Sequence, residues 1–150
     1  FLASRVGESG HVWGFDVQSQ AIDSTRQRLQ QHSMSARVTL IPQSHSAMAR
    51  YLPATASGRI AAVMFNLGYL PGSDRAIVTR ASSTVAALEQ AMDWLRPGGL
   101  LSVLVYRGHA GGRHEWRAVS RWLSLQAVQH QCTIGDEKAG DSPLLVLVRR

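Results

Sequence analysis

Apolar and polar positions fall along this chain in blocks whose period changes. Ile60 to Phe65 is a continuous apolar run, with the length and composition of a strand buried on both faces. It leads directly into Asn66-Leu67-Gly68-Tyr69-Leu70-Pro71-Gly72, where a carboxamide, a permissive glycine and a flat ring precede a Pro-Gly turn. Upstream, His11 to Phe15 reads as a short strand with Asp16 just past its end. Ser19 is a good N-cap for a helix carrying Ala21, Ile22, Thr25 and Leu29 on one face. Arg37 to Ile41 predicts the next strand, followed by Pro42-Gln43-Ser44-His45, and a weaker helix covers Ala47 to Leu52 before Pro53. Downstream, Ser82 or Ser83 can cap a helix with Val85, Leu88, Met92 and Leu95 in helical spacing, stopped by Pro97-Gly98-Gly99. Leu100 to Tyr106 is another continuous apolar strand, ending in Arg107-Gly108-His109-Ala110-Gly111-Gly112. A helix from about Arg113 to Leu125 buries Trp116, Val119 and Leu123. Two last strands, near Gln129 to Ile134 and Leu144 to Val148, flank a polar loop.

Strands alternating with helices predict an α/β fold, a mostly parallel sheet with helices on both faces. The last two strands lack a helix between them and so predict an antiparallel hairpin. The 150 residues suit one domain. Phe1 to Gly7 reads like the last turns of a helix closed by glycine, and a domain rarely starts halfway through an element. The expectation is therefore a fragment lacking its N-terminal part. No apolar run approaches the ~20 residues that span a bilayer, so no membrane partner is expected. The lone Cys132 excludes an internal disulfide and fits a reducing compartment, which makes the cytoplasm the default.

Charge adds one hint. The net charge is +6, and arginine supplies fifteen of the sixteen cationic residues. A planar guanidinium suits phosphate, so a polyanionic partner such as nucleic acid is plausible. A genome rich in G and C gives the same bias, and the arginines form no single basic run.

In open α/β sheets ligands bind outside the carboxyl ends of the strands, and four such ends here carry polar groups. Asp16 can accept both ribose hydroxyls of an adenosine ligand, with Gln18 adding a contact; its competing role is to cap the following helix. Gln43, Ser44 and His45 stand where an adenine edge would lie. The third end is Asn66-Leu67-Gly68-Tyr69. The fourth is Tyr106 with Gly108, His109, Gly111 and Gly112, a lid beside the site or a plain glycine turn. No zinc spacing, phosphate-binding G-x-G-x-x-G or G-x-S-x-G elbow is present, so no metal ligand is assigned.

With these residues in place, the chain resembles a class I S-adenosylmethionine-dependent methyltransferase with a Rossmann-like sheet. More narrowly, Met64-Phe65-Asn66-Leu67-Gly68-Tyr69-Leu70-Pro71-Gly72 with Asp74, then Thr79-Arg80, then Tyr106-Arg107-Gly108-His109 with Gly111-Gly112, is similar to the putative rRNA methylase family. That family includes bacterial enzymes that methylate the 5-aminomethyl group on the tRNA wobble uridine. There are departures. The family's first strand and glycine-rich loop should lie before Phe1. An acidic residue common near Gln43 is an amide here, and the proline and glutamate usual after Thr79-Arg80 are Ala81 and Ser82.

The resemblance implies S-adenosylmethionine as cofactor, held by Asp16, Gln18, Ser44, His45, Asn66 and Gly68. It implies RNA as partner, tRNA foremost, with a homodimer allowed. The carboxamide oxygen of Asn66 and a carbonyl of Leu67 or Gly68 would accept the target amine's hydrogens. Tyr69 would stack on the base, and Tyr106 or His109 would remove a proton or close over the substrate. Leu67, Pro71, Thr79 and Arg80 complete the implied substrate contacts. Other readings of the residues stay open: an rRNA methyltransferase, a nicotinamide-dependent oxidoreductase on a similar sheet, or a non-catalytic RNA-binding module.

Overall fold

The structure, a computed structural model, describes residues 1–68, 79–126, 130–136 and 140–150. They form two compact units, residues 1–52 and 53–150.

In the first unit, α1 (Leu2–Arg5) is the expected helical stub, and Gly7 follows it at φ +74°. Strand β1 (Val12–Phe15) pairs in parallel with β2 (Val38–Ile41), Val12 opposite Val38 and Phe15 opposite Ile41. Helix α2 (Ser19–Gln31) crosses between them and buries Ile22. A 3-10 turn, His45–Ala47, and the short α3 (Met48–Tyr51) follow β2, with Ile41, Met48 and Leu52 buried.

The second unit is a four-stranded sheet in the order β3-β4-β6-β5. Strand β3 (Ile60–Leu67) pairs in parallel with β4 (Leu95–Val105), and α4 (Ala81–Trp94) connects them. Helix α5 (Gly112–Ser124) follows β4. Strands β5 (His130–Ile134) and β6 (Leu144–Arg149) form the expected antiparallel hairpin, and β6 also runs antiparallel beside β4. Leu101, Val103 and Val105 of β4 and Leu144, Val146 and Val148 of β6 are completely buried, as are Ala87, Leu88 and Ala91 of α4 and Val119 of α5. Each such leucine or valine contributes roughly 1.5–3 kcal/mol of burial. This core fixes the carboxyl ends of β3 and β4 side by side.

Several local expectations need correction. Strand β3 is not buried on both faces: Phe65 and Leu67 point inward while Ala62, Met64 and Asn66 are exposed. Only one of its faces is covered, so burial alternates toward its carboxyl end. Helix α4 starts at Ala81, with Arg80 at its N-cap; Ser83 instead donates its hydroxyl to the Arg80 carbonyl from inside the first turn. Pro97-Gly98-Gly99 does not lie outside the sheet. Strand β4 begins at Leu95 and takes these residues in, because Gly98 and Gly99 exchange backbone hydrogen bonds with Arg150. In α5 the apolar stripe passes through Glu115, Val119, Trp122 and Leu123, leaving Trp116 only half-buried.

Candidate functional site

The expected residues fall into two groups, one in each unit. In the first, a single backbone oxygen ties the ends of two strands: the Ile41 carbonyl accepts the N–H of Asp16 (3.3 Å) and that of Gln43 (2.8 Å). Asp16 thus stands directly at the carboxyl end of β1, half-buried. Its Oδ1 accepts the backbone N–H of Gln18 at 2.8 Å, which closes an Asx turn into α2. This corrects the expectation for Ser19, which is the first helical residue and caps nothing; Gln18 is the N-cap and makes no side-chain capping bond. Asp16 therefore performs a local duty with one oxygen, while Oδ2 has no partner among the described residues. Ser44 caps the 3-10 turn after β2. Its Oγ accepts from the Ser46 N–H (3.3 Å) and lies 2.9 Å from the Ser46 hydroxyl. His45 is half-buried beside it.

The second group gathers where β3 and β4 end together. The Asn66 carboxamide is exposed and has no hydrogen-bond partner among the described residues. Leu67 is buried, and its carbonyl accepts the Tyr106 N–H at 3.4 Å. Gly68 has φ +145°, a conformation that L side chains rarely adopt. Its carbonyl accepts the Thr79 N–H at 3.0 Å. Both backbone oxygens expected to receive a substrate hydrogen thus already hold one donor each. Asn66 offers the open acceptor. A Cβ placed on Gly68 would lie 3.5 Å from the Tyr106 ring and 3.8 Å from His109, so these residues share one corner.

That corner is held from beneath by a residue that no motif in the sequence marks. Glu115, 1% exposed, accepts the Thr84 hydroxyl at Oε1 (2.5 Å) and the Thr79 hydroxyl at Oε2 (2.8 Å). Its Oε2 is also 4.0 Å from His109 Nε2. The His109 side chain is only 6% exposed, and its Nδ1 lies 3.0 Å from the Ala110 carbonyl. Both ring nitrogens face protein groups, which makes the imidazole a wall of the corner. Tyr106, just past the end of β4, is an exposed residue.

Glycines and one arginine set this geometry. Gly111 caps α5 at φ +89°, and a Cβ on Gly112 would come within 2.5 Å of the Tyr106 carbonyl. The pair lets α5 begin against the end of β4 and brings Glu115 under His109. Arg107, 4% exposed, donates from Nε to the Ser142 carbonyl (2.8 Å) and from Nη2 to that of Asp136 (2.7 Å). It binds the segment before β6 to the end of β4. Glu115 lies on α5's buried stripe, in phase with Gly112, Val119 and Trp122, and an acid on an apolar stripe was the available signal. Arg80 is exposed at the start of α4. Tyr69 and Pro71 lie outside the described residues.

Comparison with known proteins adds an independent line. Residues 12–146 match the family model described as Putative rRNA methylase. Over 126 residues the chain is 44% identical to the tRNA (mnm(5)s(2)U34)-methyltransferase, chloroplastic, of Arabidopsis thaliana. That match takes in 82% of this chain and spans 45% of the Arabidopsis protein's length. The crystal structure of a putative rRNA-methylase from Clostridium thermocellum superposes with a TM-score of 0.88 at 38% identity, covering 99% of this chain and 79% of that one. A putative methyltransferase from Streptococcus mutans in complex with SAH gives 0.78 at 31% identity, covering 93% and 75%.

Proposed function

The chain belongs to the Putative rRNA methylase family, and from that premise we propose that it is part of an S-adenosylmethionine-dependent RNA methyltransferase acting on the 5-aminomethyl group of a tRNA wobble (2-thio)uridine. The observation that carries the substrate choice is the 44% identity to the Arabidopsis tRNA (mnm(5)s(2)U34)-methyltransferase. The cofactor is supported by family membership and by the S. mutans relative's complex with SAH, the product left when S-adenosylmethionine gives up its methyl group.

The residues present fit that cofactor. A ribose offers two hydroxyl donors, and Asp16 presents an uncommitted carboxylate oxygen at the end of β1, fixed in place by the Gln18 N–H. Gln18, Ser44 and His45 are polar groups of the same unit at the ends of paired strands. When bound, the cofactor supplies a methyl group on a sulfonium, which is already activated for transfer.

The protein's task is then alignment and desolvation. The Asn66 oxygen accepts one hydrogen of the target amine and turns its lone pair toward the methyl group. Gly68 leaves room beside it, because no side chain fills the space before Tyr106 and His109. Tyr69 stacks on the base. Thr79 and Glu115 hold the corner's shape, and His109 walls it off from water. Tyr106, an exposed residue just past the end of β4, offers a hydroxyl through which the departing amine proton can leave.

A second reading keeps the chemistry and changes the RNA to ribosomal, which the family description and the C. thermocellum relative favour. The test offers the intact protein tRNA whose wobble uridine already carries the 5-aminomethyl group but not its methyl, and separately ribosomal RNA, with labelled cofactor, then digests the product to nucleosides. Label in the wobble nucleoside supports the proposal; label in ribosomal RNA alone replaces it with the second reading.

A further inference from the structure

Cations scattered in the sequence are gathered by α5. With about 100° of rotation per residue, Arg113, Arg117, Arg121 and His114 fall within roughly 100° of arc. All four are exposed, on the side opposite the buried Glu115, Val119, Trp122 and Leu123. Glu115 is the helix's single acid, and it is turned inward to Thr79 and Thr84. The helix's outward face therefore carries three arginines and no acid of its own.

Arg113 is braced by Asp141 at 3.0 Å, whereas Arg117, Arg121 and His114 have no side-chain partner among the described residues. The stripe borders an open cavity of about 420 Å³ lined by Arg107, His109, Arg113, His114 and Arg117, with Asp141 as its acid. His109 is also the wall of the Asn66–Gly68 corner, so cavity and corner adjoin.

We propose that this face of α5, with the adjoining cavity, docks the phosphate backbone of the RNA whose base enters the corner, a reading that rests on the RNA methyltransferase assignment above. Arginines at four-residue spacing rise ~6 Å per step along the helix, which presents successive guanidinium forks to successive groups of a strand. Such contacts carry little sequence information. They fix register and orientation while the corner selects the base.

The test compares the intact protein with an Arg113→Ala, Arg117→Ala, Arg121→Ala variant. The probe is a labelled anticodon stem-loop RNA titrated over a range of salt concentrations. Each phosphate contact contributes ~0.7–0.9 to the slope of log affinity against log salt, so the slope falls by roughly 2–3 and affinity drops roughly 10- to 100-fold. Binding of S-adenosylmethionine and kcat at saturating RNA stay unchanged, while KM for RNA rises. The corresponding triple lysine variant retains most of the slope. A control replacing the exposed Arg28, Arg50 and Arg59 with alanine keeps its affinity. Unchanged affinity and KM in the α5 variant, or an equal loss in the control, overturns the docking surface while methyl transfer by the parent leaves the function intact. A parent that transfers no methyl group to RNA overturns the functional reading and the docking surface with it.

Discussion

Removing the Glu115 carboxylate tests whether the corner is held from below. In Glu115→Ala two hydroxyl donors lose their acceptor: Thr84, completely buried, and Thr79, half-exposed. A hydrogen bond to a charged group contributes ~1.5–3 kcal/mol, and a stranded buried hydroxyl costs ~1–3 kcal/mol. Against this, the variant no longer buries a carboxylate, which returns part of the desolvation cost. The net expectation is a loss of about 2–4 kcal/mol. Glu115→Gln keeps the volume and one acceptor, so about 1–2 kcal/mol is expected. Urea unfolding followed by circular dichroism measures both. The sharper readout is a cycle with Thr84→Val: once the buried hydroxyl is gone, Glu115→Ala costs less, giving a coupling of about 1–2 kcal/mol. Additive effects, or a Glu115→Ala loss below about 0.5 kcal/mol, would refute the reasoning.

Other perturbations follow from the same geometry. Asn66→Ala lowers single-turnover methyl transfer at saturating cofactor by roughly 100-fold, since the open acceptor that aligns the amine is lost; unchanged turnover rejects the alignment role. Gly68→Ala meets only ordinary contacts at 3.5 Å or more, so its cost of about 1–3 kcal/mol is backbone strain at φ +145°, read by thermal unfolding. Arg107→Lys cannot reach both the Ser142 and Asp136 carbonyls, and a loss of about 2–3 kcal/mol lowers the midpoint by roughly 4–12 °C.

Local patterning made most of the elements legible. The helical spacing and the apolar runs marked the strands and helices near their observed places, and the missing helix before Leu144 gave the hairpin. What local pattern cannot express is which partner a polar group finds. Glu115 joins Thr84 and Thr79 across 31 and 36 residues, and Arg107 reaches carbonyls 29 and 35 residues away. Neither pairing leaves a trace in spacing. Ser19 caps nothing because the chain enters α2 through an Asx turn, in which the Asp16 carboxylate accepts the Gln18 N–H before the helix starts. The apolar run of β3 overstates its burial for a related reason. An unbroken apolar run looks the same whether both faces are covered or one is filled by small alanines. The Asn66–Gly68 end and the Tyr106–Gly112 end were both chosen from sequence, and their adjacency follows from the parallel β3–β4 register, Leu67 opposite Val105.

Cofactor identity is the point on which every assigned role depends. Calorimetric titration of the intact protein with S-adenosylmethionine, and separately with a nicotinamide dinucleotide, tests it directly, with Asp16→Ala alongside. Saturable binding of S-adenosylmethionine alone is predicted, weakened roughly 10- to 100-fold in Asp16→Ala as hydrogen bonds to a carboxylate worth ~1.5–3 kcal/mol are lost. Binding of the nicotinamide dinucleotide instead, or S-adenosylmethionine affinity indifferent to Asp16, would contradict it.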